Sequence, residues 1–208
     1  MARDWRSPVW QEKAHCRGLA ALINRIYLKD NILGRLKRAF ETSNPVGLQI
    51  QGFLDPGHYQ GLLRLSSNAN FKLNEQRDEY SFFEDSGCPV LNFFRSREFL
   101  DFASRVTGLE LKKSDCSLKI FMHGSYTLAH FRQKGKVEFA FDMTPTWDIK
   151  WGGASNYITE EGDRLIIPPL PDNLILVLRK GTSAEGYIKY VNHKVLENGR
   201  VMIQGLLY

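Results

Sequence analysis

The chain is poor in cysteine, and the pattern of its cysteines excludes two kinds of site. Its three cysteines, Cys16, Cys88 and Cys116, show no CxxC spacing. We therefore expect free thiols and neither a disulfide framework nor a zinc knuckle. No stretch approaches 18 apolar residues, and no apolar segment follows the charged N-terminus. This predicts neither a membrane span nor a signal peptide, and hence a cytoplasmic protein.

Several common functional motifs are also missing. There is no phosphate-binding loop, no GxSxG and no HExxH, which removes the commonest nucleotide-binding and hydrolase classes. The net charge of +5 is spread along the chain without long runs of one sign. Such a surface would attract an anionic substrate, but no nucleic-acid-binding module is recognisable, so we do not expect a nucleic-acid partner.

Length and local pattern predict one α+β domain over residues 1–208. Apolar stripes predict helices within 9–29 and 32–40, a third after Asp55-Pro56, and a fourth capped by Ser96 and ended by Gly108. A strand is predicted at 46–53. Residues 66–92 are polar and predict a loop with one edge strand near 80–83. Residues 1–117 thus form a mostly helical support region.

From residue 118 onward the apolar pattern alternates, which is typical of β-strands. Asn198-Gly199 is a strong hairpin signal, because both central positions of a tight turn need positive φ. Short strands separated by turns suit a jelly roll, so residues 118–208 are predicted to form its core. The predicted strands are 118–122, 126–131, 136–143, 153–158, 164–167, 174–179, 187–193 and 200–207.

Two histidines, His130 and His193, each lie beside an alternating apolar run, and Arg200 follows the second. A jelly roll brings distant strands together at its open end, and imidazole is the usual neutral ligand of iron, nickel, copper or zinc. A single histidine in a strand is more often a core or surface residue than a ligand, but this pairing favours a metal site shared by the two.

This order of residues resembles the prolyl-hydroxylase-like branch of the non-haem Fe(II)/2-oxoglutarate-dependent oxygenases. That family carries a His-x-Asp motif, a distal histidine and then an arginine or lysine. The likeness covers roughly residues 40 to 208. Its further landmarks are Asn44 to Leu54, Phe99 to Leu111, Trp147-Asp148 with Trp151-Gly152-Gly153, and Pro171 to Leu178.

The resemblance implies helices packed on a cupin-like double-stranded β-helix, with Fe(II) as metal and 2-oxoglutarate as co-substrate. His130 and His193 would hold the metal, and Arg200 would hold the distal carboxylate of 2-oxoglutarate by two parallel hydrogen bonds. Tyr126 and Thr127 would line the pocket as donors, with Lys119 a weaker candidate. The implied reaction is hydroxylation of a C–H bond in an amino acid, a peptide or a small metabolite.

Arg132 departs from this family, because it stands where the metal-binding carboxylate is expected. A permanently charged guanidinium cannot ligate a cation. A two-histidine site completed by water or another side chain is one alternative. A second is a halogenase-type variant, in which a missing carboxylate leaves room for chloride and Arg132 helps to hold the anion.

Asp142 is the second departure, since many relatives keep a tyrosine there that binds 2-oxoglutarate. Facing inward, Asp142 would repel the co-substrate or pair with Arg200. Alternatively it, or Glu138, replaces the lost metal ligand, or a one-residue slip turns it outward. Arg132 and Asp142 are thus the candidate catalytic positions that decide the chemistry. They support a second hypothesis, a fold relative without oxygenase chemistry that is a binding module or a non-oxidative enzyme.

Overall fold

The computed structural model describes residues 22–128, 135–159, 161–179, 185–195 and 199–208. Its helices are α1 Asp30–Thr42, α2 Pro56–Ser66, α3 Leu91–Phe94 and α4 Arg97–Thr107, with 3-10 turns at Arg25–Leu28 and Ile149–Trp151. Its strands are β1 Gly47–Gln51, β2 Lys72–Gln76, β3 Tyr80–Asp85, β4 Ser114–Phe121, β5 Tyr126–Thr127, β6 Val137–Asp142, β7 Ser155–Ile158, β8 Arg164–Ile167, β9 Asn173–Leu178, β10 Glu185–Ile188 and β11 Arg200–Leu207. No helix among these residues is long and apolar enough to cross a membrane.

The strands form two antiparallel sheets. The larger follows the order β1-β9-β6-β11-β4-β3-β2, with β5 paired to β3, and the smaller follows β10-β7-β8. One face of the large sheet packs on the helices, and the other faces the small sheet. The predicted α+β architecture, with helices packed on a rolled sheet, is confirmed.

The helix ends follow the predicted capping chemistry. Asp55 Oδ1 accepts a hydrogen bond from the Gly57 amide at 3.1 Å, and Ser96 Oγ accepts one from the Phe99 amide at 3.3 Å. Gly108 ends α4 with φ of 71°, in the left-handed region that glycine tolerates best. Most of the helix predicted within 9–29 lies outside the described residues, and its last part is the 3-10 turn Arg25–Leu28.

Residues 66–92 differ from the sequence-based expectation. They contain a complete hairpin of β2 and β3 at the edge of the large sheet, where a loop with one strand was expected. The reason is physical: β2 has no buried residue on either face, so its sequence lacks the alternation that marks a half-buried strand. Together with β1, this hairpin adds strands to the region predicted to be mostly helical.

Two apolar clusters lie on opposite faces of the large sheet. The outer cluster, against the helices, is rich in phenylalanine, and in it Phe94 stacks on Phe139 with ring centroids 5.6 Å apart. The inner cluster, between the two sheets, includes Phe121, Tyr157 and Met202. Strand β6 is buried throughout. Because side chains alternate along a strand, its even-numbered residues face the space between the sheets.

Candidate functional site

Arg200 and Asp142 form a fully buried ion pair between the two sheets. Arg200 begins β11 and Asp142 ends β6, and the register of these strands places Met202 opposite Asp142. Both side chains have zero exposure, and Arg200 Nε donates to Asp142 Oδ2 at 2.8 Å. Among the predicted alternatives for Asp142, the structure therefore shows the pairing with Arg200, and the outward-facing alternative is wrong.

Further hydrogen bonds fix this ion pair. Arg200 Nη1 donates to the Gly153 carbonyl at 2.6 Å and to Ser155 Oγ at 2.9 Å. Asp142 Oδ1 accepts from the Thr144 amide at 3.0 Å. Arg200 Nη2 is buried without a hydrogen-bond partner in the described part of the chain, as are both amide atoms of Asn173 on β9. The two N–H groups of Nη2 thus have no acceptor among the described residues.

The residues described do not fit the predicted 2-oxoglutarate site. Two parallel hydrogen bonds to a carboxylate need two free donors on one edge of the guanidinium. Here Nε and Nη1 of Arg200 already bind protein oxygens, and Asp142 already neutralises the charge. A second carboxylate would meet that of Asp142 in a buried site, where like charges are strongly unfavourable.

The metal-binding prediction remains a prediction. His130 and Arg132 lie outside the described residues, and His193 lies in an exposed turn after β10. Within the described ranges, no three histidine, cysteine, aspartate or glutamate side chains cluster as metal ligands would. Tyr126 and Thr127 form the short strand β5, and Thr127 Oγ1 accepts a hydrogen bond from the Ile188 amide at 2.8 Å.

A second polar cluster lines a cavity of about 340 Å³ on the inner face of the large sheet. Lys119 Nζ donates to Gln204 Oε1 at 3.1 Å, and Gln204 Nε2 donates to Glu138 Oε1 at 3.0 Å. Tyr157 OH donates to the same Glu138 oxygen at 3.1 Å, while Arg179 Nε lies 3.5 Å from Glu138 Oε2. Glu138, predicted as a possible replacement ligand, is thus held by three protein donors.

Burial shifts the proton equilibria of this cluster. It lowers the pKa of Lys119, a shift that the charges of Glu84 and Glu138 oppose. It raises the pKa of Tyr157 well above its usual value, and the neighbouring Glu138 adds to the rise. Tyr157 therefore stays protonated at neutral pH and acts as a donor. The sequence offered one signal for this cluster, namely charged residues at alternating positions inside otherwise apolar strands.

Solved structures of other proteins share the fold. The chain superposes on a Pseudomonas putida prolyl-4-hydroxylase with a TM-score of 0.64 and 15% identity, covering 84% of this chain and 97% of that one. For a Trichoplax adhaerens prolyl hydroxylase in complex with a peptide fragment of the hypoxia inducible factor oxygen degradation domain, the TM-score is 0.65 at 16% identity, covering 86% and 93%. The predicted double-stranded β-helix is therefore confirmed.

Two curated sequences also match, both named prolyl 3-hydroxylase OGFOD1. The Xenopus laevis protein is 32% identical over 92 residues, which are 40% of this chain and 18% of that protein. The Mus musculus protein is 32% identical over 90 residues, 40% and 16% of the two chains. The match thus spans less than a fifth of these relatives. Residues 55–203 match the family model described as "Oxoglutarate and iron-dependent oxygenase degradation C-term", so the chain belongs to that family within the prolyl-hydroxylase-like 2-oxoglutarate/iron oxygenases.

Proposed function

We propose that this chain is a ligand-binding module built on the oxygenase fold, in which the protein's own Asp142 takes the position of the oxoacid carboxylate. The buried ion pair between Asp142 and Arg200 carries this proposal. Asp142 neutralises the charge of Arg200 and accepts the hydrogen bond of its Nε, while Gly153 and Ser155 accept those of Nη1, so most of the donors that an arginine could offer to 2-oxoglutarate are occupied.

The energetic reason is desolvation. Opening the pair to admit 2-oxoglutarate would leave the carboxylate of Asp142 buried and without its cation, and removing one partner of a buried pair typically costs about 3–5 kcal/mol. The new contact with 2-oxoglutarate would at best restore the one that was lost. The residue type at position 132 supports the same proposal. Arginine stands there where the metal-binding carboxylate is expected, and arginine cannot ligate iron.

The proposed ligand is a peptide or a small molecule that enters the inner cavity. The sequence relatives are named prolyl 3-hydroxylases, which supports a peptidyl ligand. The cavity of about 340 Å³ lies at the lower end of the usual size range for ligand pockets, so it suits one side chain or one peptide unit.

An active oxygenase is the second candidate, and membership of the family favours it. In that case His130 and His193 would hold Fe(II), and Arg200 would have to leave Asp142 to bind the oxoacid. The bound iron and 2-oxoglutarate would supply the oxidising power for hydroxylation of a C–H bond. Asp142 would then need a proton or a different partner.

Thermal denaturation with 2-oxoglutarate separates the two candidates. A ligand that binds only the native state must raise the melting temperature. We expect no rise for the wild type at millimolar 2-oxoglutarate, and a rise for Asp142→Asn, because this variant frees the charge of Arg200. Asp101→Asn, at an exposed position of α4, is the matched control and should respond like the wild type.

Wild-type protein alone can overturn the proposal. A rise in its melting temperature with 2-oxoglutarate, together with succinate release when Fe(II), oxygen and a prolyl peptide are added, would establish the oxygenase. Peptide binding without Fe(II) or 2-oxoglutarate, measured by tryptophan fluorescence, would support the binding module.

A further inference from the structure

Lys119 and Glu84 face each other across neighbouring strands inside the cavity. The register of β3 and β4 places Glu84 opposite Lys119, and directly opposed residues project from the same face of a sheet. Both line the cavity of about 340 Å³, together with Tyr80, Phe82 and Thr127. Yet among the ion pairs of the described residues, none joins Lys119 to Glu84. The two side chains thus line one cavity without an ion pair between them, so a ligand in this cavity can contact both a donor and an acceptor.

Lys119 has fewer partners than its chemistry allows. An ammonium group carries three N–H donors, and this one is only 9% exposed. Its one hydrogen-bond partner among the described residues is Gln204 Oε1, and it lies 4.4 Å from the ring centroid of Phe82. At least one donor is therefore left for an acceptor that enters the cavity.

Glu84 has acceptor capacity to spare. Its Oε1 accepts one hydrogen bond from Asn74 Nδ2 at 2.7 Å, and its Oε2 accepts one from Ser117 Oγ at 3.2 Å. Each carboxylate oxygen has two lone-pair sites, so a further donor can bind. Glu138, by contrast, is already held by Tyr157, Gln204 and Arg179.

The charges of the cavity are balanced, which selects the ligand. The negative charge of Glu138 is neutralised by Arg179, and the positive charge of Lys119 lies near the negative charge of Glu84. Asp115, which also lines the cavity, is exposed to solvent. A carboxylate would gain Lys119 but meet Glu84, and an ammonium would gain Glu84 but meet Lys119. An uncharged group that carries a carbonyl oxygen and an N–H satisfies both.

We infer that Lys119 and Glu84 form a binding site for an uncharged amide, whose carbonyl oxygen accepts from Lys119 Nζ and whose N–H donates to a Glu84 oxygen. Phe82 and Tyr80, with ring centroids 5.4 Å apart, provide an apolar wall for the body of the ligand. The amide is either a peptide unit or a primary carboxamide. This inference rests on the proposed binding function and names the chemistry that its cavity selects.

The first test compares three probes that share the phenylalanine body and differ in the charge of one end group. N-acetylphenylalaninamide is neutral, N-acetylphenylalanine carries a carboxylate, and phenylalaninamide carries an ammonium. We expect the neutral probe to bind wild-type protein most tightly in calorimetric titrations, by about tenfold over each charged probe. Tighter binding of the carboxylate or the ammonium, or equal binding of all three, would overturn the inference. 2-Oxoglutarate is absent from this titration, so its outcome is independent of the oxoacid test.

Two variants then test the roles of the individual side chains. Lys119→Met leaves Glu84 alone and should shift the preference toward phenylalaninamide, whereas Glu84→Gln leaves Lys119 alone and should shift it toward N-acetylphenylalanine. A purely structural role for either residue would weaken all probes together without changing their order. Lys37→Met, on exposed α1, is the control and should keep the wild-type order.

The source of the amide is distinguished with two further probes. N-acetylphenylalanine methylamide offers only peptide units, and 3-phenylpropionamide offers only a primary carboxamide. Tighter binding of the first assigns the site to the backbone of a peptide, and tighter binding of the second assigns it to a carboxamide side chain. Binding of neither would refute the inference.

Discussion

Removing either partner of the Asp142–Arg200 ion pair should cost a large part of the stability of the fold. In Asp142→Asn, the guanidinium stays buried without its counter-charge, for which we expect a loss of about 3–5 kcal/mol. In Arg200→Met, the expected loss is again about 3–5 kcal/mol, because the carboxylate is isolated and the acceptors on Gly153 and Ser155 lose their donor. Typical domains have only about 5–15 kcal/mol in total.

The double variant separates coupling from simple addition. The double variant lacks both charges, so no isolated ion remains. Its loss of unfolding free energy should be close to that of one single substitution and not to the sum of both. This corresponds to a coupling energy of about 3–5 kcal/mol. Urea denaturation followed by circular dichroism measures all four proteins, and the slope of the unfolding free energy against urea should stay constant.

An exposed ion pair with the same nitrogen–oxygen distance provides the control. Arg97 Nε lies 2.8 Å from Asp101 Oδ1, the same distance as in the buried pair, but the two side chains are 82% and 55% exposed. Its coupling energy should stay below about 0.5 kcal/mol, because water screens the charges. If the buried pair coupled as weakly as this exposed one, our assignment of Asp142 as the internal replacement for the oxoacid would be refuted.

Two further predictions concern the backbone and pH. Burial raises the pKa of Asp172 to about 6. The folded state therefore favours the protonated carboxyl group of Asp172. Its contribution to the free energy of unfolding is complete below pH about 4 and is lost as the pH rises through 6. Asp172→Asn should exceed wild-type stability by about 1 kcal/mol at pH 7.5, after allowance for partial solvent screening, and match it at pH 4 in urea titrations; an equal gain at both values would contradict this. Gly152→Ala should cost more than about 2 kcal/mol, because φ is 79° and the new Cβ would clash with the Tyr190 carbonyl. At Gly162, where φ is 90° and an added Cβ would meet no atom of the described residues within 4 Å, the loss of unfolding free energy measured by melting should be only about 1 kcal/mol. Equal losses at the two glycines would exclude the clash as the cause.

Much of the fold could be predicted because its signals are local. Strands β8 and β11 begin and end where alternation and turn residues placed them, and both predicted caps are present. The predicted strand 187–193 is shifted, since β10 is Glu185–Ile188. Val191 forms only an isolated bridge to Gly152 after it.

The candidate site could be predicted only in part, because it depends on register between strands that are far apart in sequence. The resemblance to the oxygenases singled out Asp142 and Arg200, but several orientations of Asp142 remained open. The pairing of β6 with β11 is what brings the two together. The amide site was harder still, since Lys119 and Glu84 come from strands whose pairing no local motif encodes.

The fate of the co-substrate site follows from the burial of Arg200. A protein whose arginine binds a soluble oxoacid must be stable both with and without that ligand. When the oxoacid is absent, water in the pocket must solvate the charge of the arginine. Here Arg200 has zero exposure, so bulk solvent does not reach its charge. A buried guanidinium without a counter-charge is strongly destabilising. A chain that closes this pocket therefore requires an internal carboxylate, and Asp142 supplies it from the adjacent strand. In the proposed binding module, loss of oxoacid binding and stability of the closed barrel are then two consequences of the same side chain.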